Sequence, residues 1–155
     1  MTRPESPYPG LNYIPTVRAA AVLPAAGAWD TDPLVEFITA GLEYLTLYIT
    51  YDEDAGAANG AVNFRVEYSP YYADTAGVED WFPMPLYDAG ALVPGADATS
   101  QIQRENITYD PTVATPETFP YPVGLNGTAE RVRVPCREIG DTDNPGECHI
   151  VGVLW

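Results

Sequence analysis

Two short blocks alternate residue by residue, and that alternation constrains the fold more than anything else in the chain. In Leu45-Thr46-Leu47-Tyr48-Ile49-Thr50-Tyr51, the residues Leu45, Leu47 and Ile49 fall on one side, and Tyr44, Thr46 and Tyr48 on the other. In Val62-Asn63-Phe64-Arg65-Val66-Glu67-Tyr68, the residues Val62, Phe64, Val66 and Tyr68 share a side, opposite Asn63, Arg65 and Glu67. A period of two points successive side chains to opposite faces of a strand, one towards a core and one towards water or a partner. Sixteen Pro and thirteen Gly in 155 residues would break helices, whereas strands and turns tolerate them. The fold expected is all-β, an antiparallel β-sandwich or jelly roll.

The remaining segments add strands to that frame. Residues 16–23 read as a first strand, 24–28 as a turn, and 34–39 as a short strand. Residues 52–60 form an acidic loop between the two alternating blocks, and Pro70 ends the second block. Residues 71–100 are irregular; within them Trp81 to Tyr87 alternates, but Pro83 and Pro85 confine it to a sheet edge or a strand's start. Residues 101–109 read as a strand and 110–127 as turn-rich, with Pro111, Pro116, Pro120 and Pro122. The last 25 residues read as a hairpin, Arg131–Ile139 and Cys148–Trp155 around a turn at 140–146. No internal repeat or domain boundary is evident. The chain divides into a single sandwich domain at 16–155 and an extended arm at 1–15. In the arm, Pro4, Pro7, Pro9 and Pro15 oppose coiling, while Tyr8, Leu11, Tyr13 and Ile14 supply apolar surface. Such an arm docks on its own domain or on a neighbouring subunit.

Charge narrows the partners. Twenty-two acids against seven bases give a formal charge of −15, and all seven bases are Arg. So negative a surface repels phosphate backbones and anionic membranes, so neither nucleic acid nor a membrane is expected as a partner. It leaves room for a divalent cation or a basic partner. No apolar run reaches the roughly 20 residues of a membrane helix. The first ten residues lack the apolar stretch of a secretory signal.

The residues that carry chemistry elsewhere are sparse here. Cys136 and Cys148 flank the expected hairpin turn, so a disulfide across neighbouring strands is geometrically allowed, with two buried free thiols as the alternative. His149 is the single histidine; it follows Cys148 and so points to the other face of its strand, which argues against zinc. No Gly-x-Ser-x-Gly elbow is present, and Cys136 has no helix N-terminus to activate it. Asp141-Thr142-Asp143-Asn144-Pro145-Gly146 begins like a calcium loop. Pro145 then takes a ligand position, and Gly152 stands where the bidentate Glu belongs. The sequons at Asn106 and Asn126 read as chance matches. No cofactor, metal or catalytic residue is expected. Tyr68, Tyr71, Tyr72, Trp81, Phe82 and Tyr87 cluster in sequence; beyond packing, such aromatics suit a glycan-stacking platform or a subunit interface.

Three segments together resemble a known family: Leu23 to Asp30; Leu45 to Tyr51 with Val62 to Ser69; and Arg131 to Gly140 with Pro145-Gly146. They resemble small β-sandwich virion proteins of tailed bacteriophages, of the capsid decoration (head auxiliary) type. The resemblance covers about half of the chain, Leu23 to Tyr68 and Thr128 to the end. It implies a non-enzymatic protein on the outside of an assembled head, made in the host cytoplasm. Such a protein binds the major capsid protein, often as a homotrimer, and cements capsomers. The contacts expected are Tyr8, Leu11, Tyr13 and Ile14 of the arm, Tyr71, Tyr72, Trp81 and Phe82 of the aromatic segment, and Trp155 at the terminus. The alternative function is a carbohydrate-binding or other surface-recognition sandwich, with Trp81, Tyr71 and Tyr72 stacked on sugar rings. An enzyme of unrecognised type with acidic site residues is the third reading.

Overall fold

In a computed structural model of the chain, the described residues are 15–31, 36–39, 42–71, 81–87, 103–111, 114–125 and 129–154. The arm residues 1–14, Tyr72 and Trp155 lie outside them. Among the described residues the strands are β1 (Thr16–Val22), β2 (Phe37–Ile38), β3 (Tyr44–Asp52), β4 (Val62–Phe64), β5 (Glu67–Ser69), β6 (Phe82–Pro83), β7 (Leu86–Tyr87), β8 (Gln103–Arg104), β9 (Ile107–Tyr109), β10 (Glu117–Gly124), β11 (Arg131–Arg133), β12 (Cys136–Glu138) and β13 (Glu147–Leu154). The one helical turn among the described residues is a 3-10 turn at Ala25–Gly27. The all-β expectation holds.

β3 lies inside a four-stranded antiparallel sheet of order β1-β13-β3-β10. Its inward residues Leu45, Leu47, Ile49 and Tyr51 are fully buried, as the alternation predicts. A second layer faces it. There β4 pairs with β12 and β9, and β5 pairs with β11 and β6. The two ladders meet where Pro135 interrupts β11 and β12: having no N–H of its own, it only accepts, and its carbonyl takes the Arg65 N–H at 3.1 Å. The second alternating block is therefore two short strands, and Asn63, expected outward, is buried. Phe64 on β4 spans the layers, 5.3 Å edge-on to Tyr121 and 6.1 Å from Phe119, both on β10. The core this closes includes Val62, Val66, Val132 and Ile150, all fully buried.

Several expectations are corrected. β10 runs through a segment expected to be turn-rich. Its Pro120 and Pro122 are compatible with a strand because β10 is an edge strand, paired only with β3. The C-terminal hairpin does not form. β12 pairs with β4, while β13 pairs with β3 and β1, so residues 139–146 cross from one layer to the other. The single strand expected at 101–109 is two, β8 and β9. Of the strand expected at 34–39, Phe37–Ile38 form β2. β6 does lie at a sheet edge, as Pro83 requires.

Candidate functional site

The molecule presents two contrasting outer faces. On the four-stranded sheet, residues opposite one another point to the same side. Tyr48 sits between Val151 on β13 and Pro120 on β10, and Thr46 sits between Val153 and Pro122. Thr50 lies between His149 and Thr118. Among the described residues, this outward face bears no Asp, Glu, Lys or Arg from Tyr44 to Thr50. Acid returns at one end, where Asp52 pairs with Glu147. Tyr48 is 42% exposed and Tyr44 51%.

The other layer is dressed with guanidinium groups. Arg65 and Arg137 lie over Trp29, at 4.5 and 4.4 Å from its ring centroid. Arg131 and Arg133 lie over Trp81, at 4.9 and 4.1 Å. These distances are within cation–π range. Each cation also has polar partners. Arg131 reaches Glu36 at 2.8 Å, and Glu67 takes both Arg65 at 2.8 Å and Arg133 at 2.6 Å. Arg137 donates to the Asn63 side-chain oxygen at 2.9 Å. At the sandwich edge, Arg18 pairs with Asp30 at 2.9 Å.

These stacks change the standing of the expected aromatic contacts. Trp81 is half-buried and has guanidinium groups over its ring. Phe82 is 36% exposed, with its ring 5.9 Å from Tyr68. Tyr71 is 41% exposed, and its carbonyl accepts from Arg131 Nε at 2.7 Å. The arm contacts Tyr8, Leu11, Tyr13 and Ile14, with Tyr72 and Trp155, lie outside the described residues. The arm's last residue, Pro15, is buried, and its carbonyl accepts the Gly152 N–H at 3.0 Å. Sequence reading missed both Trp–Arg groups and the uncharged face. The outward alternation of Arg65, Arg133 and Arg137 is the one signal in the sequence for the first.

Where the chain crosses between layers, a fully buried carboxylate holds it. Glu138 Oε2 accepts from the Tyr51 hydroxyl at 2.7 Å and the Gly146 N–H at 3.1 Å. Its Oε1 accepts from the N–H groups of Ala61 at 2.7 Å, Gly140 at 3.0 Å and Asp141 at 3.4 Å. Burial raises the Tyr51 hydroxyl well above the ordinary tyrosine range, and the hydrogen bond to Glu138 adds to the rise. The crossing needs close backbone approach: a Cβ on Gly140 would stand 1.9 Å from the Asn59 carbonyl oxygen.

Cys136 and Cys148 are free and buried. They do not face each other along a hairpin, because their strands belong to different layers. They meet across the sandwich instead, side chain to side chain, and burial together with that contact raises the Cys136 thiol well above its ordinary range. His149 points away from Cys148, partly exposed, as expected. The acidic turn is held by its own backbone. Asp141 accepts from the N–H groups of Ala58, Asn144 and Asp143, and these bonds, Ala58 first, lower its pKa from the usual carboxylate range. Among the described residues no group of three His, Cys, Asp or Glu is placed to hold a metal.

No family model matches the chain, and no curated protein matches it. Among solved structures, the crystal structure of the SPBc2 prophage-derived protein YomS is similar over 92% of this chain and 91% of that one. The identity is 12% and the TM-score 0.43, values too low to establish a common fold.

Proposed function

We propose that this chain is a non-enzymatic structural protein of a tailed-phage virion, a decoration protein that binds the outside of the head and cements neighbouring capsomers. One observation supports this most directly: the three segments whose sequence resembles such proteins pack together as one unit. Leu23 N–H donates to the Gly146 carbonyl at 2.8 Å, and Asp30 N–H to the Cys136 carbonyl at 2.8 Å. β3 pairs with β13 along its length, and the block at 62–69 joins the last segment through β4–β12 and β5–β11. The three resembling segments are thus neighbours in the fold.

On this reading the partner is the major capsid protein and the location is the capsid surface. A surface of net charge −15 suits a basic patch on the shell. The glycan-binding alternative draws less support, since both described tryptophans carry guanidinium groups over their rings. The test is to mix the purified chain with heads of the phage that encodes it, stripped of the chain. Saturable co-sedimentation, and a higher temperature of head disruption once the chain is bound, are expected. Heads that neither bind it nor gain stability would overturn the assignment.

A further inference from the structure

We infer that the uncharged outer face of the four-stranded sheet is where a second copy of this chain docks, face to face. Charge decides the partner. Two copies at −15 each repel through any surface that carries acid, and burying an unpaired carboxylate adds several kcal/mol of desolvation cost. Among the described residues, the face around Tyr48, Thr46, Val151, Val153, Pro120 and Pro122 carries none. A basic partner would be drawn to the acidic remainder of the surface and would find no counter-charge here. A second identical face meets Tyr, Val, Pro and Thr with the same residues, so the contact is self-complementary and leaves each copy's acids pointing outward.

Sheet extension is disfavoured at the β10 edge. Pro120 and Pro122 offer no N–H at alternate positions there, so an incoming strand would lack two ladder bonds. Packing through the face avoids that loss. Seven residues along β3 and three strands across give about 24 Å by about 14 Å, roughly 340 Å² of projected area. That is within the size of the largest apolar patch on an ordinary monomer, which is often functional. It is well under the roughly 800 Å² per partner of a standard interface, so the pair is weak and concentration-dependent. The stoichiometry is two, not the three that the family resemblance implies. The inference does not rest on the capsid reading, and a pair in solution would stand whatever surface the chain decorates.

The experiment is sedimentation equilibrium of the full chain from about 1 μM to about 1 mM, the range of a weak complex. The wild-type chain is expected to move from one-chain to two-chain mass. Tyr48→Glu and Thr46→Glu, each on the exposed face, should stay at one-chain mass with unchanged circular dichroism and Tm. Ile139→Glu, exposed on the other side of the crossing, should associate like wild type. If one face variant fails to fold, the other decides. A wild-type chain that stays single throughout, a three-chain mass, or face variants that pair like wild type would each overturn the inference. Glycan binding lost in Tyr48→Glu by a single wild-type chain would reassign the face to sugar.

Discussion

Cys136 and Cys148 show how one side chain's environment fixes its chemistry. Both thiols are fully buried, and the reactive form of a thiol is the thiolate, which burial disfavours. The Arg18–Asp30 pair pins both strands beside them: Asp30 accepts the Cys136 N–H at 3.0 Å, and Arg18 donates to the Cys148 carbonyl. A chromogenic disulfide reagent should therefore find no reactive thiol in the native protein. In denaturant without reductant it should find two. Two thiols released only on unfolding would confirm buried free cysteines, and none in denaturant would show a cystine between the layers. The spacing of these cysteines about a turn was legible in sequence. Their placement on opposing layers was not, because pairing of consecutive strands is the common outcome and this chain departs from it. The guanidinium stacks were equally hidden, since Trp29 meets Arg65 and Arg137 across long stretches of chain.

At the scale of elements, the crossing from β12 to β13 depends on Glu138. Its carboxylate is acceptor-only and faces five donors, so a neutral amide in its place would set an N–H₂ against an N–H or O–H. Tyr51→Phe removes one charge-assisted bond, a loss of about 2 kcal/mol. For a chain of this length that corresponds to a Tm lower by roughly 4–8 °C. Glu138→Gln should cost more, because it leaves buried donors unmet. The raised pKa of Tyr51 has a signed consequence. Below the unfolded tyrosine value of about 10 both states keep the proton; above it the unfolded chain releases the proton while the folded chain holds it. Stability therefore falls as pH rises past about 10, and more steeply in wild type than in Tyr51→Phe. Equal slopes in alkaline denaturation of the two would refute this role. β3 and the inward half of β4 were legible because their alternation is strict. β10 was not, because two prolines in a strand read as turn until the strand is known to lie at an edge.

For the whole molecule, charge and face act together. The uncharged face could not be read from the sequence alone: Thr46 and Tyr48 are visible as alternate residues, but their neighbours Val151, Val153, Pro120 and Pro122 come from strands far away in the chain. Once the register is known, an acidic protein with one neutral side has a definite response to salt. The Debye length shrinks from about 10 Å at 0.1 M salt to about 3 Å at 1 M, so repulsion between two chains of −15 is screened while an apolar contact is left intact. Association through the neutral face should therefore tighten as sodium chloride is raised. Association through ion pairs, as between the acidic turns and an arginine of a neighbour, should weaken over the same range. Repeating the sedimentation measurement at low and high salt separates the two by sign alone. A two-chain species that dissociates at high salt would move the contact off the four-stranded sheet and onto the charged layer.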